Sequence, residues 1–202
     1  MLVGCPDSVR AADLSREKMT NLRFVITGSP GAGKTTVLRA LAERGYMYAT
    51  ESARAIIRER LASGLPPRPP LAQFGHEILQ RDIVSYRETR VTDHPVFFDR
   101  GIVDALGILD QQQAISPGEV AEYVRSFPYN ELVLLMPPWE AIYHTDSERD
   151  QTFAEAVQVF EGLRTWYARW GYETIEVPCT AIDQRVNFIL QIVEYALTRQ
   201  SS

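Results

Sequence analysis

Apolar residues in this 202-residue chain form short continuous runs, separated by longer segments with helical spacing. Buried parallel strands are apolar on both faces and read as continuous runs, whereas covering helices repeat apolar positions every three to four residues. The alternation therefore predicts a parallel sheet with helices on both faces. The five predicted strands are Arg23 to Thr27, Tyr46 to Thr50, Pro95 to Phe98, Glu131 to Met136 and Tyr172 to Val177.

Capping signals support several of the predicted helices. Thr152 and Glu155 are spaced as a capping box before an apolar-periodic helix, and Gly171 is placed to end it. Ser116 followed by Pro117 is typical of another helix start. The last helix has apolar positions at Ile182, Val186, Ile189, Leu190, Val193 and Leu197.

A proline cluster from Leu65 to Pro70 separates two further helices. One is predicted to end near Gly64, and a longer one to run from about Leu71 to Arg90. Because proline restricts the backbone, we interpret the cluster as a stiff hinge.

Composition narrows the class of protein. An apolar share of 45% is ordinary for a globular domain, and a net charge of -5 argues against a nucleic-acid polymer as partner. No apolar run is long enough to span a membrane, and Cys5 and Cys179 suggest neither a disulfide framework nor a zinc site. We expect a cytoplasmic protein with no membrane partner, consisting of a poorly ordered extension over residues 1–20 and one domain over residues 21–200.

The strongest motif is a phosphate-binding loop of the form GxxxxGK[ST], from Gly28 to Thr35. It follows a predicted strand and opens a predicted helix, so backbone N–H groups and the helix dipole would meet phosphate oxygens. Lys34 is expected to reach the β- and γ-phosphates, Thr35 to bind Mg²⁺ and Thr36 to donate to the α-phosphate of ATP. The other predicted nucleotide-binding residues of the loop are Gly28, Ser29, Pro30, Gly31, Ala32 and Gly33.

Two charged groups follow other predicted strands. Asp99 and Arg100 come at the carboxyl end of the third strand, where open α/β sheets bind ligands, and are predicted to hold Mg²⁺ and to clamp phosphate or substrate. Glu51 and Arg54 follow the second strand and are candidates for catalysis and acceptor binding. The alternatives are that Asp99 caps the next helix and that Glu51 only complements a helix dipole.

Further arginines are candidates on weaker grounds. Arg149 lies in a polar stretch from Trp139 to Gln151 that is predicted to be a lid, where it would stabilise a transferring phosphoryl group. Arg185 is a candidate base contact and Arg81 a candidate substrate contact. A solvated loop or helix face would explain each of them equally well.

Other residues are assigned structural roles. Trp166, Tyr167 and Trp170 fall at helical spacing and are interpreted as core packing. Asp104 to Gly107 matches the DxxG pattern of GTPases, but we interpret the match as accidental because it lies within a predicted helix.

These motifs together resemble the AAA-domain family of small P-loop ATPases related to nicotinamide riboside kinase, and more distantly the deoxynucleoside and nucleoside monophosphate kinases. The resemblance extends from about Leu22 to Leu197. It implies a three-layer α/β/α P-loop NTPase fold whose five parallel strands are ordered 2-3-1-4-5, with a lid. It also implies that Glu51 is an acceptor-side carboxylate, and that Asp99 and Arg100 are the acid and arginine pair of those kinases.

The sequence thus predicts an ATP- and Mg²⁺-dependent kinase acting on a small nucleoside- or nucleotide-like acceptor. The alternative is a nucleotide-dependent regulatory ATPase that acts on a protein partner. The chain lacks the NKxD and LSGGQ segments typical of GTPases and transporter ATPases.

Overall fold

A computed structural model describes residues 21–89, 93–142 and 152–199. Its centre is a five-stranded sheet in which every neighbouring pair is parallel, in the order β2-β3-β1-β4-β5. The strands are β1 (Arg23–Gly28), β2 (Met47–Ala49), β3 (Val96–Asp99), β4 (Leu132–Met136) and β5 (Glu173–Glu176). The predicted fold class and strand order are confirmed, and each predicted strand lies within two residues of its observed bounds.

Helices connect successive strands and cover both faces of the sheet. They are α1 (Lys34–Glu43), α2 (Ser52–Ala62), α3 (Leu71–Glu88), α4 (Ile102–Gln111), α5 (Pro117–Ser126), α6 (Phe153–Arg169) and α7 (Ile182–Arg199). The predicted capping box forms at the start of α6 and the predicted helix start at Ser116 is observed at α5, where the hydroxyls of Thr152 and Ser116 accept from the N–H groups of Glu155 and Glu119. None of the described helices is both long and apolar enough to cross a membrane.

Alternate residues of the central strands enter two separate cores. On β1, Phe24 and Ile26 face the core that contains α1 and α7, whereas Val25 faces the core formed with α3, α4 and α6. Both cores are fully buried at these positions. Because apolar side chains are buried on both faces of the sheet, the central strands have no face exposed to water. In open α/β sheets of this kind, ligand sites lie at the carboxyl ends of the strands.

Candidate functional site

The phosphate-binding loop connects the end of β1 to the start of α1. Gly28, Gly31 and Gly33 all have positive φ angles, which residues with a Cβ rarely adopt. At Gly28 a Cβ would also lie only 2.1 Å from the carbonyl oxygen of Met136 on β4. The sheet and the loop therefore require glycine at this position for two independent reasons.

Lys34 is folded back over the loop. Its Nζ donates to the carbonyl oxygens of Gly28 at 3.1 Å and Ser29 at 2.8 Å, and its side chain is buried. Burial lowers the pKa of Lys34 to about 7, and the nearby Arg100 guanidinium acts in the same direction. An anion in the loop would favour the charged form of the amine, as a phosphate group does.

A cavity of about 540 Å³ lies against the loop and the start of α1. Gly31, Ala32, Gly33, Lys34, Thr35 and Thr36 line one side of it. The other side is formed by Arg39, Arg54, Trp139, Ile142, Thr180, Ala181, Ile182 and Arg185. We call this space the loop cavity; its lining contains six of the predicted nucleotide-binding loop residues together with Arg185.

Arg185 is buried on α7, so the alternative of a solvated helix face is wrong for this residue. Its Nη2 donates to the carbonyl oxygen of Ala32 at 3.0 Å, and its guanidinium lies 5.5 Å from the ring centroid of Trp139. Its Nε is buried without a hydrogen-bond partner among the described residues. The side chain thus reaches the phosphate-binding loop, and its contact with a nucleotide stays a prediction.

Arg100 adopts a left-handed backbone conformation, with φ of 66°. Such a conformation is unfavourable for a residue with a long side chain and is found most often at functional sites. Here it turns the guanidinium back across the ends of β1 and β3. Nε donates to Glu51 at 3.1 Å, Nη1 to Asp104 at 3.2 Å and Nη2 to the carbonyl oxygen of Gly28 at 3.1 Å.

Glu51 is the residue immediately before α2, but its side chain does not cap that helix. Its two carboxylate oxygens instead pair with Arg100 at 3.1 Å and Arg54 at 3.0 Å. Although burial opposes ionisation, the cations of Arg100, Lys34 and Arg54 hold the pKa of Glu51 below its ordinary value. The carboxylate is therefore charged and fixed at the mouth of the loop.

Asp104 organises the other side of Arg100. This buried residue accepts hydrogen bonds from Thr27 at 2.5 Å, Tyr167 at 2.7 Å and the backbone N–H of Gly101 at 2.9 Å. The last bond caps α4, so the alternative that Asp99 caps this helix is not observed. Asp104 does lie within a helix, as expected for an accidental DxxG match, yet sequence analysis missed its contact with Arg100.

Asp99 ends β3 and is buried. Burial raises the pKa of its carboxyl to about 6, although Lys34 opposes the shift. Its Oδ1 has no hydrogen-bond partner among the described residues, which is unusual for a buried carboxylate. Such an oxygen suits a hard cation.

Mg²⁺ usually takes one or two protein ligands and completes its shell with water and phosphate. The residues present fit that requirement, because Asp99 offers an unpartnered carboxylate oxygen and Thr35 lines the loop cavity. Within the described ranges, no group of three or more His, Cys, Asp or Glu side chains is placed to bind a metal ion.

A second cavity, of about 560 Å³, is lined by both members of the Glu51 and Arg100 pair. We call it the α3–α6 cavity. Its charged lining residues are Glu51, Arg68, Asp82, Arg100 and Asp104. Its walls include Pro30, Ser52, Phe74, Ile78, Ile108, Gln111, Gln158, Leu163 and Trp166.

Two of these lining residues differ from the sequence-based interpretation, and a third has a second role. Pro30, predicted to bind nucleotide, lines the α3–α6 cavity. Trp166 packs against the core, as predicted, and also lines the cavity while its indole N–H donates to the carbonyl oxygen of Val103 at 2.8 Å. Asp82 was not singled out. It lies four and eight residues after Ile78 and Phe74, and this interruption of an apolar stripe is the signal that could have identified it.

Two predicted substrate arginines lie elsewhere. Arg81 pairs with Glu59 at the surface, at 2.8 Å, and lines a separate groove with Tyr48 and Glu88, because its position on α3 faces away from Asp82. Arg81 is therefore removed from the candidate substrate residues. Arg54 lines the loop cavity and not the α3–α6 cavity. Arg149, most of the predicted lid and the extension over residues 1–20 lie outside the described residues.

Comparison with known proteins places this geometry in a family. Residues 23–185 match the family described as AAA domain. A comparison with curated protein sequences gives no match.

Among solved structures, two of deoxyadenosine kinase from M. mycoides are similar in fold. The one with products dCMP and a flexible dCDP bound has a TM-score of 0.54 at 12% identity, over 86% of this chain and 99% of that chain. The one with bound dATP has a TM-score of 0.51 at 10% identity, over 85% and 99%. This likeness establishes the fold of small P-loop kinases, and the match over residues 23–185 establishes that the chain belongs to the AAA-domain family.

Proposed function

We propose that this protein is a phosphotransferase that moves the γ-phosphoryl group of ATP, with Mg²⁺, to a hydroxyl of a small nucleoside- or nucleotide-like acceptor. One observation carries the proposal. Both cavities are lined by residues of the phosphate-binding loop, and Glu51 and Arg100 of the α3–α6 cavity are joined to Arg54 of the loop cavity through the ion pairs of Glu51. Transfer between two small molecules requires such paired sites.

On the donor side, Lys34 and the loop N–H groups hold the β- and γ-phosphates, and Arg185 with Trp139 lies where the base would bind. Mg²⁺, held by Thr35 and Asp99, would neutralise charge on the β- and γ-oxygens. Phosphoryl transfer proceeds through a loose transition state, so catalysis depends mainly on positioning and on stabilising charge. The fixed Arg100 and Lys34 cations supply this stabilisation.

On the acceptor side, Glu51 accepts a hydrogen bond from the attacking hydroxyl. The oxygen forms a bond to the γ-phosphorus as the bond to the bridging oxygen of ADP breaks, and the proton passes to Glu51. Because two arginines hold Glu51 in its charged form, it orients the hydroxyl early and receives the proton late in the transfer. Arg149 is proposed to close over the transferring group.

A kinase needs a site for its small acceptor, whereas a regulatory ATPase that acts on a protein does not. The cavity of about 560 Å³ beside the phosphate-binding loop therefore favours the kinase. Release of ADP should be measured across nucleosides, nucleotides and cofactor precursors. We expect at least one acceptor to stimulate release strongly. Stimulation only by a protein partner would refute the kinase proposal and support the switch.

Lys34→Ala is the first variant to test. Removing the buried amine leaves the phosphates without their main cation, so we expect ATP binding or turnover to be lost. Arg125→Ala, which removes an exposed cation from α5, is the control and should behave as the wild type. Retention of wild-type ATP affinity and activity by Lys34→Ala would show that the loop does not bind ATP as proposed.

A further inference from the structure

Among the residues that the structure describes, the lining of the α3–α6 cavity has more negative than positive groups. Three carboxyl groups, those of Glu51, Asp82 and Asp104, line it, against the two guanidinium groups of Arg68 and Arg100. A nucleotide or carboxylic-acid acceptor would bring a further anion into this space. The charge of the cavity lining therefore affects which class of acceptor the cavity binds.

Arg100 is already occupied by protein groups. Its three guanidinium nitrogens contact Glu51, Asp104 and the carbonyl oxygen of Gly28. A phosphate on the acceptor would find only the N–H groups that these contacts leave and would compete with the carboxylates of Glu51 and Asp104 for the same cation. Arg68, the other arginine, is an exposed residue of the proline-rich connection between α2 and α3.

Asp82 is the carboxyl group that the proposed reaction does not use. It lies on α3 in line with Phe74 and Ile78, so the apolar face of the helix carries it into the cavity wall. The Ser52 hydroxyl donates to its Oδ1 at 2.5 Å. Ser52 directly follows Glu51, and all three residues line the cavity, so Asp82 shares this lining with the proposed acceptor-orienting carboxylate.

Asp82 forms no ion pair with a cationic side chain among the described residues. Burial raises the pKa of its carboxyl to about 7; Asp104 and Glu51 add to the shift, and Ser52 and Arg100 oppose it. A donor group on a bound molecule would favour the ionised form, and a bound anion would oppose it.

We propose that the α3–α6 cavity selects an alcohol without phosphate or carboxylate, either uncharged or cationic, and that Asp82 sets this selectivity. Its carboxylate accepts a hydrogen bond from a second N–H or O–H group near the reacting hydroxyl and repels acceptor anions. This inference rests on the proposed phosphotransferase function and narrows its acceptor class from nucleoside- or nucleotide-like to the unphosphorylated member.

Matched pairs of acceptors test the proposal by binding, without turnover. Dissociation constants should be measured by calorimetry at pH 8 for adenosine, cytidine, pyridinium ribosides and amino alcohols, and for the phosphate monoester of each. A non-hydrolysable ATP analogue should occupy the donor side throughout. We expect the tightest unphosphorylated probe to bind about tenfold or more tightly than its phosphate ester.

Asp82→Asn assigns the effect to the carboxylate. We expect it to reduce that preference about tenfold while leaving the affinity for the ATP analogue unchanged. Glu88→Gln removes a carboxylate from an exposed position on the same helix and should retain the wild-type preference. Ser52→Ala, which keeps the charge of Asp82, should also retain discrimination against phosphate esters.

Three results would overturn the inference in distinguishable ways. Tighter binding of the phosphate esters to the wild type would refute the acceptor class but leave the phosphotransferase proposal standing. An unchanged preference in Asp82→Asn would limit Asp82 to a structural contact between α2 and α3. Failure of every probe to bind, while the ATP analogue binds, would refute both this inference and the proposed acceptor site.

Discussion

Arg100 is the residue on which the geometry of the site depends most. It combines a left-handed backbone with contacts to Glu51, Asp104 and the Gly28 carbonyl, and so joins β1, β3 and the starts of α2 and α4. Although burial opposes it, Glu51 and Asp104 raise the pKa of Arg100 further above its ordinary value. A guanidinium is needed here for its planar array of donors and not only for its charge.

Arg100→Lys is therefore expected to be disruptive. An ammonium group cannot reach all of these oxygens at once, so we expect a loss of about 2 kcal/mol in the free energy of unfolding. Acceptor-dependent turnover should fall further. Denaturant unfolding measures the first quantity, and Arg81→Lys, in a surface pair with Glu59, is the control, expected to cost less than about 1 kcal/mol. Equal stability losses in the two variants would contradict the role given to Arg100.

Asp82 should make stability depend on pH. Its folded-state pKa of about 7 lies above its unfolded value, so its contribution is complete below the unfolded pKa and is lost as pH rises through about 7. Relative to Asp82→Asn, the wild type should therefore lose about 1 kcal/mol or more of unfolding free energy between pH 5 and pH 8. Urea unfolding at both pH values measures this. If the difference in unfolding free energy between the wild type and Asp82→Asn were the same at both pH values, the raised pKa of Asp82 would be refuted.

Sequence could identify only some of these residues. Glu51, Asp99 and Arg100 follow predicted strands, and parallel strands bring their carboxyl ends to one edge, so their proximity was predictable. Asp82 and Asp104 lie inside helices. The interrupted apolar stripe of α3 could have marked Asp82 as facing inward, but apolar spacing does not say which partner either carboxylate meets. Arg81 and Asp82 are adjacent, yet one faces a surface groove and the other the α3–α6 cavity.

At the scale of elements, the position of the phosphate-binding loop depends on close packing between β1 and β4. Gly28 pairs with Met136 in the sheet and has φ of 138°. The start of α1 is buried beneath the loop through Val37, Leu38 and Leu41, as the apolar spacing predicts. The loop is thus held from both ends by rigid elements, which gives precise placement of its N–H groups.

Gly28→Ala should accordingly destabilise the protein by about 3 kcal/mol or more, because its Cβ would collide with backbone atoms of Met136. Gly162→Ala is a matched control in the middle of α6. No atom lies within 4 Å of its added Cβ, and alanine favours helix, so it should be neutral or stabilising by up to about 1 kcal/mol. Thermal and urea unfolding of both variants test the contrast, which similar losses in the two would contradict.

Most elements were predictable because each has a local signal. Continuous apolar runs identify β1, β3 and β4, and side-chain caps identify the starts of α5 and α6. Strand order has no such signal, since it depends on which strands pair across the whole chain, and here the resemblance to P-loop kinases implied it. The cavity lined by α3 and α6 likewise has no local signal in the sequence.

At the scale of the whole molecule, an ion pair joins the linings of two cavities. The loop cavity is lined by phosphate-binding residues and Arg185, and the α3–α6 cavity by apolar side chains and carboxyl groups. Glu51 belongs to the second and pairs with Arg54, which belongs to the first. We propose that these are the donor and acceptor halves of one phosphotransferase site.

Tracing the γ-phosphate of labelled ATP distinguishes transfer to an acceptor from hydrolysis. Each compound that stimulates ADP release should be incubated with the protein, Mg²⁺ and γ-labelled ATP, and the label should be followed to acceptor or to inorganic phosphate. We predict that the label appears on the acceptor, and that Glu51→Gln reduces this transfer about 100-fold or more without loss of ATP binding. Label found only in inorganic phosphate, whatever acceptor is present, would contradict the account.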